Sequence, residues 1–194
     1  MLKLVTAPAV EPLTTAEAKS FTRVEISADD TLIDAFVKGA RQYLEKTYAV
    51  ALITQVWDLY LDGWPGGDTL RLPVQPVQSV GSITYTDSAG AAVVMSAADY
   101  LVDAVSVPGR IRLKSGRSWP SVTLQEMNGV VVRFTAGYGA AGSAVPEPLR
   151  DAVRLLVAHR YENREPEIIG PGLSATRLAF TIDALMASER LWAL

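Results

Sequence analysis

The sequence predicts an α+β fold: a helical unit drawn from both chain ends, with an antiparallel β unit, sandwich or barrel-like, inserted between them. Three observations predict it. Apolar residues recur at intervals of three and four from residue 14 to 48, alternate from about 51 to 138, and return to helical spacing after Val145. Turn-forming clusters cut the middle stretch into short pieces: Pro65-Gly66-Gly67, Asp87-Ser88-Ala89-Gly90, Pro108-Gly109 and Ser118-Trp119-Pro120. Strands and helices do not alternate, which argues against a parallel nucleotide-binding sheet. The expected boundaries are residues 1–50 for the first part of the helical unit, 51–139 for the inserted β unit, and 140–194 for the second helical part and a tail.

Each element has its own signal. Thr14 and Glu17 stand at capping-box spacing, so a short helix should run from there to about Arg23. Ser27-Ala28-Asp29-Asp30 reads as a second start, with acids at the positive end of the helix dipole. Ile33, Phe36, Val37, Ala40, Tyr43, Leu44 and Thr47 then form one buried stripe over about five turns, with Lys38, Arg41, Glu45 and Lys46 off it. In the middle, Gln55, Trp57, Leu59 and Leu61 alternate with Val56, Asp58, Tyr60 and Asp62; Trp57, Leu59 and Leu61 should face a core, and Asp58 and Asp62 the outside. Further strands are expected at 69–72, 80–86, 92–95, 100–102, 110–113 and 129–135, spaced as in a small sandwich or barrel. Pro146 and Pro148 suit the first turn of a helix whose apolar face is Leu149, Ala152, Val153, Leu156, Val157 and Tyr161. Residues 165–176 hold two prolines and two glycines and read as a loop, and Leu178 to Trp192 reads as a last helix.

Composition narrows the function. The 194 residues are 49% hydrophobic and 20% charged, which is ordinary for a globular chain with a real core. The absence of cysteine removes thiolate metal sites, disulfides and cysteine nucleophiles, and the single histidine, His159, excludes any site needing two imidazoles. With 18 basic and 21 acidic residues the net charge is −3, the wrong sign for a surface that grips nucleic acid all round. No secretory leader is expected from the opening Met1-Leu2-Lys3-Leu4-Val5, and no apolar run reaches the roughly 20 residues of a membrane span.

Four features could carry chemistry. Gly137-Tyr138-Gly139-Ala140-Ala141-Gly142 matches G-x-G-x-x-G and follows the strongest strand signal, but Val145, Pro146 and Pro148 prevent a helix from starting on its last glycine and no βαβ unit surrounds it. It reads as a strand-to-helix connection, with a nucleotide-binding enzyme as the alternative. His159 lacks an activated nucleophile and reads as a structural or interface residue. Asp29, Asp30 and Asp34, like Asp58 and Asp62, read as helix-start and strand-face acids rather than a metal site. Trp64 and Trp119, beside prolines at strand ends, could cover a sheet edge or a neighbouring subunit; a monomeric β module that binds a peptide or sugar is the second alternative. Leu185, Met186, Leu191, Trp192 and Leu194 make an apolar tail that must pack on its own unit or on a partner. No catalytic residue, metal or cofactor is expected.

The sequence resembles the head–tail connector proteins of tailed phages, also called portal adaptor or head-completion proteins, which occur in gene transfer agents too. The matching stretches, in order, are Leu13-Thr14-Thr15-Ala16-Glu17-Ala18-Lys19, Asp29-Asp30-Thr31-Leu32-Ile33, residues 51–59, residues 72–80, Ser118-Trp119-Pro120, residues 134–139, Pro146, Leu149 and Tyr161-Glu162-Asn163-Arg164-Glu165. The resemblance runs from near residue 13 to about 170 and is weakest over the last two dozen residues. It implies a homo-oligomeric ring of twelve copies beneath the portal of a filled capsid. Such a ring extends the DNA channel, without sequence-specific DNA binding, and presents a platform to the next tail-completion or stopper protein. It also implies a C-terminal segment that reaches the portal. On that basis Glu162, Asn163, Arg164 and Glu165 are expected to make polar subunit contacts, and Phe180, Leu185, Leu191 and Trp192 to anchor the tail in a partner.

Overall fold

In a computed structural model, residues 1–163 and 175–188 are described, and they form two compact units. One unit contains residues 1–8 and 54–137; the other contains residues 9–53 and 138–163 with 175–188.

The first unit is all β. A five-stranded antiparallel sheet has the order β1-β2-β8-β4-β5, made of β1 (Leu2–Thr6), β2 (Gln55–Leu61), β8 (Val130–Ala136), β4 (Val77–Thr86) and β5 (Ala92–Val94). A three-stranded antiparallel sheet has the order β3-β7-β6, made of β3 (Thr69–Arg71), β7 (Arg110–Leu113) and β6 (Tyr100–Asp103). The long central strand β8 pairs with β2 from Gln55↔Ala136 to Leu61↔Val130, and with β4 on its other side through two register shifts. Because side chains alternate along a strand, this register puts Leu59, Val130, Val132, Phe134 and Ala136 on one buried face. Leu70, Ile111 and Leu113 of the smaller sheet are buried as well.

Two expectations are corrected in this unit. The sequence placed all of residues 1–50 with the helices, but residues 2–6 form the edge strand β1, paired with β2 from Leu2↔Leu59 to Thr6↔Val56. Five residues are too few for a hydrophobic period to be read. Asp58 does alternate away from the apolar face, yet its side chain is only 5% exposed. Arg133 stands directly opposite it on β8 and donates from Nε and Nη2 to its two carboxylate oxygens, both at 2.8 Å. A buried carboxylate needs such a partner, since breaking the pair would leave an uncompensated charge.

The second unit is helical. In α1 (Thr15–Thr22) the capping box forms as its spacing predicts: Thr14 Oγ1 accepts from the Glu17 amide at 3.2 Å, and Glu17 accepts from the Thr14 amide at 2.8 Å. A 3₁₀ turn at Ser27–Asp29 leads into α2 (Asp30–Tyr48), which ends on Ala49 in the left-handed conformation, φ 54°. Pro148 lies in the first turn of α3 (Glu147–Glu162), where its missing amide costs no helical bond. The last helix, α4, is Ala175–Ser188, so the expected loop stops short of residue 176. The core contains Leu13 and Ala18 near the first helix, Ile33, Val37, Ala40 and Leu44 of α2, Leu149, Ala152, Val153 and Val157 of α3, and Ile182 and Met186 of α4.

The expected stripe on α2 holds through Leu44, except that Tyr43 is 49% exposed. Thr47 is exposed too, while Arg41, expected off the stripe, is 4% exposed. Its guanidinium donates from Nε to Glu11 and from Nη1 to Glu45, each at 2.6 Å. Glu45 also accepts from the Leu52 amide at 3.0 Å. Burial opposes the Arg41 charge, but these carboxylates outweigh it and hold the guanidinium pKa above its ordinary value. Arg41 thus fastens two non-helical segments, around residues 11 and 52, to the side of α2.

Candidate functional site

The helices supply both a frame and two exposed surfaces. The frame is polar and long-range. Asp34 accepts from Thr15 Oγ1 at 2.6 Å, Asp30 pairs with Lys19 at 2.6 Å, and Asp29 accepts from the Tyr161 hydroxyl at 2.6 Å. The acids near the start of α2 are therefore the ties that join α1, α2 and α3. Arg150 of α3 binds Glu17 of α1 and also Glu147, and Arg154 binds Glu147 and Asp151. Hydrogen bonds from Thr14, first from its backbone amide, together with Arg150, hold the Glu17 carboxyl below its ordinary pKa. Tyr48 at the end of α2 donates to Asp183 of α4.

The glycine-rich turn after β8 is a packing device. A Cβ on Gly142 would lie 2.8 Å from the Pro12 carbonyl oxygen, and one on Gly139 would lie 2.5 Å from the Ala144 Cβ. Within their own units, the Gly137 amide donates to Pro76 O at 2.8 Å and the Tyr138 amide to Leu52 O at 3.3 Å. A phosphate cradle uses amides that are free and aimed at the ligand; these two are bound within the chain. His159 is exposed on α3, with its Nδ1 3.1 Å from the Asn163 side-chain amide. In the β unit, Trp64 and Trp119 stack on each other, centroids 4.8 Å apart and rings 10° from parallel. Trp119 Nε1 donates to Gly67 O at 2.7 Å, and Tyr85 meets Trp64 edge-on. Each of the two stacked indoles thus uses one of its faces on the other.

The sequence-selected interface residues separate. Glu162 is exposed at the end of α3, and Asn163 caps that end through His159 O at 3.0 Å. Arg164, Glu165, Leu191 and Trp192 lie outside the described residues. Phe180 is 75% exposed, the most exposed aromatic side chain among the described residues. Leu185, in contrast, packs with Ile182 and Met186 against the helical core. α4 has an apolar face that completes its own unit, on which Leu185 is half-buried, and a second face that carries Phe180. On α1 and α3, Ala16, Glu17, Ser20, Phe21, Arg23 and Arg154 line an open groove of about 700 Å³. Sequence reasoning missed it, because Phe21 and Arg23 sit where α1 ends and carry no periodic signal.

The fold and site define an α+β protein with a polar-braced helical frame that exposes an open groove and the Phe180 ring. No family model matches the chain, and no curated protein matches it. Solved structures do. A chain in the neck of an empty gene transfer agent particle computed with C6 symmetry is 29% identical, with a TM-score of 0.80 over 100% of this chain and 97% of that one. A chain in the virion of a native gene transfer agent particle gives the same values. A chain in the neck of a native particle computed with C12 symmetry is 29% identical, with a TM-score of 0.73 over 95% and 94%. The resemblance to head–tail connectors read from ordered sequence stretches thus extends over the whole fold, last helix included, and the similar chains belong to gene transfer agent particles.

Proposed function

We propose that this chain is a structural head–tail connector. Copies assemble as a ring of twelve under the portal, extend the DNA channel and present a platform to the next tail-completion protein. The observation that carries this reading is the end-to-end similarity to neck chains of gene transfer agent particles, at 29% identity with 97% of the neighbour covered. The C12 symmetry of one such neck supports the twelvefold ring. The chain works by shape: its inter-helix carboxylates are occupied in ties between α1, α2 and α3, and its glycine turn serves packing. A net charge of −3 suits a conduit that lets the phosphate backbone pass.

Within this reading, Glu162 and Asn163, with Arg164 and Glu165, make polar contacts with neighbouring subunits. Phe180, Leu185, Leu191 and Trp192 meet partners. Removing residues 177–194 would strip Ile182 and Met186 from the helical core, so that truncation tests folding as well as docking. Removing residues 189–194 spares α4 and tests the part played by Leu191 and Trp192. Particles made without this chain should stop as tailless heads that leak DNA. Normal tails on such particles would reject the proposal.

A further inference from the structure

A closed ring requires that each copy present two different surfaces that fit each other, because a head-to-tail contact uses unlike patches. The helical unit has two that do not overlap. On one flank, α1 packs against α2 and α3, and the groove formed with α3 is lined by Ala16, Glu17, Ser20 and Phe21 and flanked by Arg23 and Arg154. On another, α4 packs against α3 and reaches Tyr48 at the end of α2. Its outer face carries Phe180, with Ala179 and Ala184 exposed beside it. Small neighbours let a helix approach another surface closely, and leave the single ring as a knob.

The two surfaces can meet and match in chemistry. The groove, about 700 Å³, is open to solvent and so accessible to a side chain carried on another helix. Phe21 is 45% exposed and offers an apolar wall. Arg23, at the left-handed end of α1 with φ 57°, has no carboxylate partner among the described residues. A guanidinium over the face of an aromatic ring is attracted by the negative face of its π system, most strongly when water is excluded. Arg23 stands at the groove to do this, while Arg154 beside it is held by Glu147 and Asp151 and forms part of the wall.

We infer that Phe180 of one copy seats in the α1–α3 groove of the next copy, between Phe21 and the Arg23 guanidinium, and that this is the contact that closes the ring. The inference rests on the connector reading and names the partner of one of its surfaces as a second copy of this chain, rather than the portal.

The natural chain has no cysteine, so engineered thiols report proximity without background. Two single variants, Phe180→Cys and Ser20→Cys, are co-expressed in particle-producing cells, and purified particles are oxidised and run on a non-reducing gel. The expected result is covalent dimers from the mixture, and from the double variant a ladder of higher multiples. Neither single variant alone should give them. Particles that contain the ring but yield no dimer, or in which Cys-bearing position 180 links to the portal once a portal cysteine is supplied, overturn the inference while leaving the connector reading intact. Particles with tails but without this chain overturn both. Phe180→Ala gives a second readout: its melting temperature should match the natural chain, since the side chain lies outside the core, while its incorporation into particles falls at least tenfold and Phe180→Trp restores it. Full incorporation of a folded Phe180→Ala chain contradicts the inference.

Discussion

The β unit and the helical unit are held together in different ways. The β unit is contiguous in sequence apart from β1, and its centre is apolar: Phe134, Val132 and Val130 of β8 are fully buried. Its buried Asp58 carboxylate is paired with the half-exposed Arg133 at one register position. The helical unit joins residues on either side of a long insertion, and polar pairs bridge that gap: Glu17 to Arg150, Asp29 to Tyr161 and Tyr48 to Asp183. The difference teaches that sheet register can specify a contiguous unit, whereas helices brought together from distant segments need side-chain ties to fix their angles. It also explains why the frame's carboxylates look like candidate chemistry in the sequence and act as braces in the fold.

Substitutions can break the comparison on either side. The largest effect should come from Phe134→Ala, which removes a fully buried ring from the central strand and should cost about 4 kcal/mol. Hydrogen exchange should place the loss of protection in β2, β8 and β4. Next, Arg41→Ala would leave Glu11 and Glu45 without their shared cation, at a cost of about 3 kcal/mol. Denaturant unfolding reads it, and Glu11→Gln combined with Arg41→Met should recover part of the loss. Gly142→Ala forces a methyl group against the Pro12 carbonyl and should cost about 2 kcal/mol by the same measurement. Thr14→Ala removes the α1 cap and should cost about 1 kcal/mol.

The smallest effect concerns pH. The folded-state pKa of Glu17 lies below its unfolded value, chiefly through the Thr14 amide. Its contribution is therefore complete above the ordinary glutamate range and lost as pH falls through the lowered folded value. The Glu17 side chain is 40% exposed, so the loss should be slight. Thermal melts on acidification should fall less steeply for Glu17→Gln than for the natural chain.

Much of this architecture is legible in the sequence because it depends on local periods. The Thr14–Glu17 box, the apolar positions from Ile33 to Leu44, and the face from Leu149 to Val157 repeat at helical spacing, and β7 occupies the four residues expected of it. What escaped depends on partners far away in sequence. Arg41 reads as a solvated residue because Glu11 lies thirty positions upstream. The β1 pairing escapes because β2 lies about fifty residues on. Leu185 and Phe180 are both apolar residues of one helix, and only the packed fold shows that one faces the core and the other faces outward. The α1–α3 groove is equally invisible, since Phe21 and Arg154 belong to opposite halves of the chain.

The most direct test is a reconstruction of the head–tail vertex from native particles at a resolution that resolves helices. The account predicts a twelvefold collar immediately beneath the portal into which this two-unit fold docks, with α1 of each copy beside α4 of its neighbour. A vertex whose collar is built from another polypeptide, with this chain elsewhere in the particle or missing from it, would contradict the account.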